Sequence, residues 1–458
     1  MQTTIDSPHS TESRGRRRVG RTFAIGVVVL AGGLIAAACG SSSPSASKKT
    51  SDTHSTARSG TTTTNQPSAS STTTTTTGAT GGSTTTTIGS GSSTTKTTTA
   101  AKATTTTTAK PASTPGGSLS VNPTSSPSAS LTGIGASSIQ PFYGKVLYQY
   151  NKLNPGVTVN FTGSGSGPGV TAIEQNTASF GQSEVPMTAA QLAASKGPVL
   201  QVPVDLGGVA VSYHVNGVSG GLKLDGPTLA QIYLRKITNW NDPAIAQLNP
   251  GVNLPNENII PVFRSDTSGP GYDLDQYLID TSPAWTSAIG ASSPSTTWPT
   301  AGRATGDSGE DLNAGVAGYI QETEGAIGYV EYSYALEANF TNAALLTKSN
   351  TYVTPSVSSI AAAGATATSL SSTNFNIIWS AGSQAYPLAN FSWALIYQKQ
   401  SSTNTGIVLG KLLQWVTTSG QSYSSGLGYA PLPPSAVSLA HSTLLGLETA
   451  SGSPIFTN

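Results

Sequence analysis

The segment Arg264–Gly271 combines residue types that bind an oxyanion. It reads Arg-Ser-Asp-Thr-Ser-Gly-Pro-Gly, follows an extended apolar run at Ile259–Phe263, and precedes a predicted helix over Tyr272–Leu278. Free N–H groups and the dipole at a helix N-terminus favour negative charge, and a guanidinium donates two parallel hydrogen bonds to one anion. The segment therefore predicts an oxyanion site, with an ordinary serine–glycine loop as the alternative.

The same pattern of strand, glycine- and serine-rich turn and helix start occurs twice more. Leu131–Ser138 leads into a helical stretch at Pro141–Tyr150, and the extended run Val157–Phe161 leads into Thr162–Gly169, with a second helix from about Val170. Alternating strands and helices predict an α/β architecture. Three helix N-termini directed at one point would form a binding cleft at the ends of the strands.

Composition divides the chain near residue 130. Residues 1–130 are mostly Ser, Thr, Ala and Gly and hold 11 Lys and Arg against 3 Asp and Glu, whereas residues 131–458 hold 11 against 18. The globular part is therefore acidic and lacks the basic face that a nucleic-acid backbone requires. We expect no nucleic-acid partner, and local hydrogen bonds must hold any bound anion.

The N-terminus has the features of an export signal. Arginines at 14–21 precede the apolar run Phe23–Ala38, and the only cysteine of the chain, Cys39, follows directly. The arrangement resembles a bacterial lipoprotein signal, although Ala36 stands where leucine is usual. It predicts a signal peptide over 1–38 and a lipidated Cys39 that anchors the protein on the extracytoplasmic face of the cell membrane. The alternatives are an ordinary signal peptide with a chance cysteine, or an uncleaved anchor.

Residues 39–130 form the predicted linker after this signal. Threonine runs such as Thr73–Thr77 and Thr104–Thr108 cannot bury enough apolar surface to fold. We expect a disordered Ser/Thr-rich tether that holds the globular part away from the membrane.

Several further segments, in their order, resemble the family of phosphate-binding proteins of bacterial high-affinity phosphate ABC transporters. They are Gly133–Ser137, Gly163–Gly169, Phe180–Pro186, Leu224–Tyr233, Ile237–Asp242, Arg264–Gly271 and Gly325–Tyr332. The resemblance implies a two-lobe periplasmic-binding-protein-like α/β fold over 131–458 with a two-strand hinge. Lobe one would comprise about 131–209 plus 390–458, and lobe two about 210–389. It also implies a monomer that captures inorganic phosphate without a cofactor and delivers it to an ABC permease with a cytoplasmic ATPase.

The resemblance places phosphate-binding groups of lobe one at three turns. Ser137 and Ser138 stand at the first turn and Ser166 at the second. Ser138 replaces a usual phenylalanine that contributes its N–H. Glu184 stands where an aspartate usually accepts the proton of hydrogen phosphate, a group that would repel fully ionised sulfate.

The resemblance places the groups of lobe two in Arg264–Gly271. Arg264, Ser268, Gly269 and Pro270 would contact phosphate, and Asp266 would steady Arg264 through an ion pair. Pro270 replaces a threonine and supplies neither a hydroxyl nor an N–H. Each hydrogen bond lost to a charged ligand costs about 1.5–3 kcal/mol, so we expect lower affinity unless Thr267 or the Gly271 N–H compensates.

Other functions remain open from the residues alone. The site could bind another tetrahedral oxyanion, or act as a low-affinity phosphate sensor. Gly306–Gly309 is similar to the serine loop of trypsin-like proteases, so a surface hydrolase using Ser308 is a second class, with His214 as the only upstream histidine of the globular part. A structural cell-wall protein is a third. The four histidines are scattered, so no metal site is predicted.

Overall fold

The structure is a computed structural model that describes residues 119–121, 127–295, 298–299 and 308–458. The predicted signal peptide, Cys39 and most of the predicted linker lie outside the described residues. Among the residues described, no helix combines the length and the apolar character needed to cross a membrane.

The folded part begins before residue 131, where composition placed the end of the linker. Ser120–Val121 pairs with Phe456–Thr457 near the C-terminus, and the first long strand begins at Ala129. The reason is apolar packing, because Leu119 and Phe456 are buried in the same hydrophobic cluster. The last residues of the predicted linker therefore belong to the folded unit, which corrects the predicted boundary.

The described residues include sixteen β-strands, most of them short. They are β1 (Ser120–Val121), β2 (Ala129–Gly135), β3 (Val157–Gly163), β4 (Phe180–Ser183), β5 (Val199–Tyr213), β6 (Lys223–Leu224), β7 (Ile260–Arg264), β8 (Ser308–Glu310), β9 (Ala326–Glu331), β10 (Thr341–Asn342), β11 (Ala344–Leu346), β12 (Tyr352–Val353), β13 (Ala389–Tyr397), β14 (Lys399–Gln400), β15 (Glu448–Thr449) and β16 (Phe456–Thr457).

Helices connect these strands. They are α1 (Gln140–Leu153), α2 (Ser166–Glu174), α3 (Ala189–Ala194), α4 (Gly226–Tyr233), α5 (Pro243–Leu248), α6 (Gly269–Thr281), α7 (Pro283–Ile289), α8 (Leu312–Glu322), α9 (Tyr332–Glu337), α10 (Val357–Gly364), α11 (Thr403–Thr417) and α12 (Pro434–Leu444), with short 3-10 turns at Ser419–Tyr423 and Ser425–Leu427.

One mixed sheet organises the described part of the chain. Its strand order is β3-β2-β4-β13-β5-β9-β7-β8, and β10 pairs with β5 as a ninth strand. β2 runs parallel to β3 and β4, and β7 runs parallel to β8 and β9. Parallel strands joined through helices are typical of α/β proteins, so the predicted fold class is confirmed.

Two long strands connect the halves of this sheet. β5 pairs with β13 from Val199 to Gly208 and with β9 from Val209 to Tyr213. We refer to the side with β2, β3 and β4 as lobe one and to the side with β7, β8 and β9 as lobe two. Paired strands that pass between two lobes have the form of a hinge. The residue limits given above for each lobe stay a prediction.

Hydrophobic clusters hold the helices on the sheet. In lobe one, Phe142 of α1 and Leu413 of α11 belong to the same buried cluster as Val159 of β3. A larger cluster includes Trp240 and Trp285 of lobe two. Each Å² of apolar surface removed from water contributes about 25 cal/mol, and this packing fixes the strand ends that carry the polar site.

Two helices begin earlier than the sequence predicts. α2 begins at Ser166 rather than near Val170, and α6 begins at Gly269 rather than at Tyr272. Both helix starts lie in turns that contain glycine and proline. The low helix propensity of these residues argues against a helix there, although proline is tolerated in a first turn. The earlier starts place Ser166 and Gly269 in the first turns of their helices.

Candidate functional site

The first polar turn lies between β2 and α1. Ser137 and Ser138 are each 3 % exposed. Ser137 Oγ accepts a hydrogen bond from Asn313 Nδ2 at 3.1 Å. Ser138 Oγ makes no hydrogen bond of normal length within the described residues. A buried hydroxyl without a partner costs free energy, so this turn holds a donor suited to a ligand.

The second turn leads into α2 and contacts lobe two. Gly165 has a φ of 100°, a conformation that favours glycine, and a Cβ atom there would lie 2.8 Å from Asp266 Oδ2. Ser166 Oγ accepts a hydrogen bond from the backbone N–H of Glu184, with an N–O distance of 3.4 Å. The turn therefore places Ser166 beside Glu184 and allows Asp266 to approach closely.

Glu184 follows β4 and is buried. Asn390 Nδ2 donates to its Oε1 at 3.2 Å, and a Cβ atom built on Gly269 would lie 2.1 Å from its Oε2. Burial raises the pKa of Glu184 to about 7. The Ser138 hydroxyl, which is near but outside normal hydrogen-bond geometry, and the charge of Arg264 act in the opposite direction. A carboxyl with this pKa can accept or donate a proton near neutral pH.

Arg264 ends β7, and its side chain is 2 % exposed. Its Nε and Nη2 donate to the two carboxylate oxygens of Asp266 at 2.6 and 2.5 Å. The backbone N–H of Leu312 also donates to Asp266 Oδ1, at 3.1 Å. Arg264 Nη1 has no hydrogen-bond partner among the described residues. Because the guanidinium is planar with fixed donors, the Asp266 pair orients Nη1 as a charged donor.

Ser268 caps α6, with its Oγ accepting from the Gly271 N–H at 3.0 Å. Pro270 is the second residue of this helix. The Gly271 N–H donates to Ser268 Oγ, and Thr267 Oγ1 hydrogen-bonds Ser295 Oγ at 3.0 Å. Compensation for Pro270 by either group stays a prediction.

We expect Gly269→Ala to weaken anion binding about tenfold or more. The new Cβ would lie 2.1 Å from Glu184 Oε2 and 2.4 Å from Glu184 Cβ, so the Glu184 side chain must move from its present place. Titration calorimetry of the variant with phosphate measures the effect. Gly318→Ala is the matched control, because a Cβ at Gly318 in α8 meets nothing within 4 Å and alanine favours a helix by about 0.5–1 kcal/mol. Equal affinities of the two variants would contradict the expectation.

Three further buried carboxyl groups interact with the charge of Glu184. Asp205 lies on β5, Asp273 on α6 and Glu331 on β9. Burial raises the pKa of each well above its ordinary value, and the charge of Glu184 raises each further. A carboxyl held protonated carries no charge. The surroundings of Glu184 therefore need not repel an anion, despite the three acidic residues near it.

Three contacting residues escaped the sequence-based prediction. Asn313 joins the lobes, because its Nδ2 donates to Ser137 Oγ and its Oδ1 accepts from the Glu331 N–H at 2.8 Å. Asn390 and Asp273 form a hydrogen bond beside Glu184. One available signal was Asn390 itself, a polar residue in the mostly apolar run Ala389–Tyr397, since buried amides need partners.

The predicted side chains come together at the interface of the lobes. Those that are buried are Ser137, Ser138, Ser166, Glu184, Arg264, Ser268, Gly269 and Pro270. Contacts between the lobes, Ser137 with Asn313 and Glu184 with Gly269, join them. Asp266 forms the predicted ion pair with Arg264. Their role in binding phosphate stays a prediction.

The residues of the hydrolase alternative have other partners. Ser308 donates to Glu310 Oε1, whereas His214 Nδ1 contacts the Ile320 carbonyl oxygen at 3.1 Å and its Nε2 contacts Glu324 at 3.5 Å. Both histidine nitrogens are therefore engaged away from Ser308. A serine nucleophile needs a base within hydrogen-bond reach, so the described geometry gives this alternative no support.

Known proteins resemble this chain in sequence and fold. A family model described as a PBP superfamily domain matches residues 43–419. The phosphate-binding protein PstS of Xylella fastidiosa is 34 % identical over 331 residues, which cover 70 % of this chain and 88 % of that protein. The phosphate-binding protein PstS of Pasteurella multocida is 37 % identical over 306 residues, covering 66 % and 86 %.

A solved phosphate-binding protein from Stenotrophomonas maltophilia has the same fold, with a TM-score of 0.53. It is 16 % identical, and the match covers 69 % of this chain and 94 % of that one. The range matched by the family model, residues 43–419, includes residues of both lobes. The chain therefore belongs to the PBP superfamily and, within it, to the family of the PstS phosphate-binding proteins.

Proposed function

We propose that this protein binds inorganic phosphate in the cleft between its lobes and delivers it to an ABC permease for import. One observation carries the proposal: two buried donors, Ser138 Oγ in lobe one and Arg264 Nη1 in lobe two, make no hydrogen bond of normal geometry to the described residues and lie near the Glu184 carboxyl. Buried polar groups are normally hydrogen-bonded. An oxyanion bearing a proton would satisfy both donors and offer its proton to Glu184.

Further hydroxyl and backbone groups would add hydrogen bonds to the same anion. Ser137 and Ser268 each accept a hydrogen bond at Oγ, so within the described part of the chain both hydroxyl hydrogens can be donated to a ligand. Ser166 likewise accepts from Glu184. The Gly269 N–H belongs to the first turn of α6, where the helix dipole favours an anion. Pro270 would contribute contact but no hydrogen bond.

Glu184 gives the site a means of choosing among oxyanions. When ionised, the carboxylate accepts a proton that hydrogen phosphate carries and sulfate lacks at neutral pH. An unpaired acceptor facing a sulfate oxygen would combine charge repulsion with a lost hydrogen bond. The site would therefore prefer phosphate over sulfate.

Binding from both lobes would favour the closed arrangement. A ligand shifts a conformational equilibrium by the difference in its affinity for the two states. Phosphate contacting Ser138 and Arg264 at once gains that difference only when the lobes meet. Closure about β5 and β13 would thus present one surface to the permease when phosphate is bound and another when it is not.

The N-terminal sequence would place this activity outside the cytoplasm. After export, lipidation of Cys39 would anchor the protein to the cell membrane, and residues 39 to about 118 would serve as a tether. The partners would be permease subunits with a cytoplasmic ATPase, and the protein would act as a monomeric binding protein rather than an enzyme.

Titration calorimetry tests the proposal. We expect phosphate and arsenate, both tetrahedral and protonated, to bind with micromolar or tighter affinity, and sulfate to bind far more weakly. Phosphate at a hundred times Kd should add about 2.7 kcal/mol to the free energy of unfolding. A flat phosphate trace from folded protein would refute phosphate binding, and preferential sulfate binding would favour the other-oxyanion alternative.

A further inference from the structure

Asn390, in the hinge strand β13, hydrogen-bonds two buried carboxyl groups. It is the second residue of β13, pairs with Gly207 of β5, and is 6 % exposed. Its Nδ2 donates to Glu184 Oε1 at 3.2 Å and also to Asp273 Oδ2. Because an amide nitrogen carries two hydrogens, one Asn390 side chain can hold both carboxyl groups.

The two hydrogen bonds of Asn390 connect both lobes to the hinge strand β13. Glu184 follows β4 in lobe one, whereas Asp273 lies on α6, the helix whose N-terminus carries Gly269. The two carboxyl groups come from positions far apart in the chain and meet at one amide on β13. Asn390 is therefore placed to couple the position of Glu184 to the position of α6.

The two oxygens of Glu184 have different surroundings. Oε1 is tied to Asn390, and Oε2 lies against Gly269 at the start of α6. A glutamate has three rotatable side-chain bonds and loses much freedom when fixed. Fixing Oε1 removes that freedom before a ligand arrives and leaves Oε2 directed at the region where an anion would lie.

We propose that Asn390 is a positioning residue that fixes Glu184 for the choice between protonated and fully ionised oxyanions, with Asp273 orienting the Asn390 amide. The inference rests on the proposed phosphate binding. It assigns the selectivity of the cleft to a hinge residue as well as to the Glu184 carboxyl that meets the ligand.

The charged surroundings of Glu184 determine what loss of Asn390 would do. Arg264 of β7 with Asp266 after it, Asp273 of α6, Asp205 of β5 and Glu331 of β9 all act on this carboxyl or are acted on by it. The hydrogen bond from Asn390 lowers the pKa of Glu184. Its removal raises that pKa, so Glu184 stays protonated to higher pH and can donate to sulfate there.

Asn390→Asp and Asn390→Val test the inference, with Kd measured calorimetrically for phosphate and sulfate between pH 6 and 9. Aspartate has nearly the same shape as asparagine, so Asn390→Asp tests the inference even if Asn390→Val does not fold. We expect about tenfold weaker phosphate binding, and a sulfate-binding transition about one pH unit higher than in the unmodified protein. Ser392→Ala, another buried polar change in β13 where Ser392 accepts from Gln182, should leave the transition in place.

The outcomes separate this inference from the proposed function. If the unmodified protein binds no phosphate, the proposed function fails. If it binds phosphate but Asn390→Asp leaves the sulfate transition unmoved, the positioning role is overturned. Uniformly weaker binding of both anions at every pH would also overturn it, since that result indicates a purely structural residue.

Discussion

Arg264→Met is expected to weaken phosphate binding at least a hundredfold. Arg264 Nη1 is a buried cationic donor without a hydrogen-bond partner in the part of the chain that the structure describes, whereas Nε and Nη2 donate to Asp266. Each hydrogen bond to a charged group contributes about 1.5–3 kcal/mol, and Nη1 carries two hydrogens. Loss of both corresponds to about 3–6 kcal/mol, or about two to four orders of magnitude in Kd. Titration calorimetry with phosphate measures the loss.

The arginine also neutralises Asp266, so a second variant is needed. Methionine alone leaves a half-buried carboxylate without its ion-pair partner, which can lower stability as well as affinity. Arg264→Met combined with Asp266→Asn removes both charges and should remain folded without recovering phosphate affinity. Lys236→Met, which neutralises an exposed cation, serves as the control and should bind normally. Phosphate affinity within about threefold of the unmodified protein in the double variant would exclude Arg264 from the binding site.

The local part of the site was predictable because its chemistry is contiguous in sequence. Arg264, Asp266 and Ser268 lie within a few residues, and a strand followed by such a turn and a helix start has a limited number of geometries. The ion pair between Arg264 and Asp266 appears as expected. The alternation of strands and helices likewise sufficed for the fold class.

The long-range part was not predictable, because it depends on pairs brought together by topology. Asn390 and Glu184 are 206 positions apart, and Asn313 and Ser137 are 176 apart. No periodicity in one segment reports on such a partner. The partner of the Gly271 N–H was not predictable either. Only the structure shows that this group donates to Ser268 Oγ.

The N-terminal edge of the folded unit was not predicted from the sequence for a related reason. Ser120–Val121 lies in sequence that is too polar to predict a strand, and it forms one because Phe456–Thr457 offers an edge to pair with. Tertiary context outweighs weak β-propensity at such positions. The same holds for the early start of α6, where the Ser268 cap compensates for glycine and proline.

Glu184→Gln is expected to remove most of the discrimination between phosphate and sulfate. The pKa of Glu184 is raised to about 7 by burial. Above that pH the group is a carboxylate, which accepts the phosphate proton and repels sulfate. Glutamine is uncharged at every pH and its amide donates to a sulfate oxygen. At pH 8 we expect the ratio of sulfate Kd to phosphate Kd to fall at least about tenfold, given the 1.5–3 kcal/mol of a charged hydrogen bond.

The pH dependence gives the sharper test, because above pH 7 the affinity for sulfate should fall with pH whereas the affinity for phosphate should not. Below about pH 7 the Glu184 carboxyl is protonated and can donate to sulfate. Above it, sulfate binding must take up a proton, so its affinity should fall about tenfold per pH unit. Phosphate brings its own proton, so its affinity should stay nearly level from pH 7.5 to 9.

Calorimetry across this range distinguishes Glu184 from the other acids of the pocket. In Glu184→Gln the slope for sulfate should disappear, because the titrating group is gone, while phosphate binding remains measurable through Arg264 and the serine hydroxyls. A sulfate slope that persists unchanged in the glutamine variant would assign the proton to Asp205, Asp273 or Glu331 instead. Since those three carboxyl groups interact with the charge of Glu184, the glutamine variant also shows whether the selectivity resides in one residue or in the buried group as a whole.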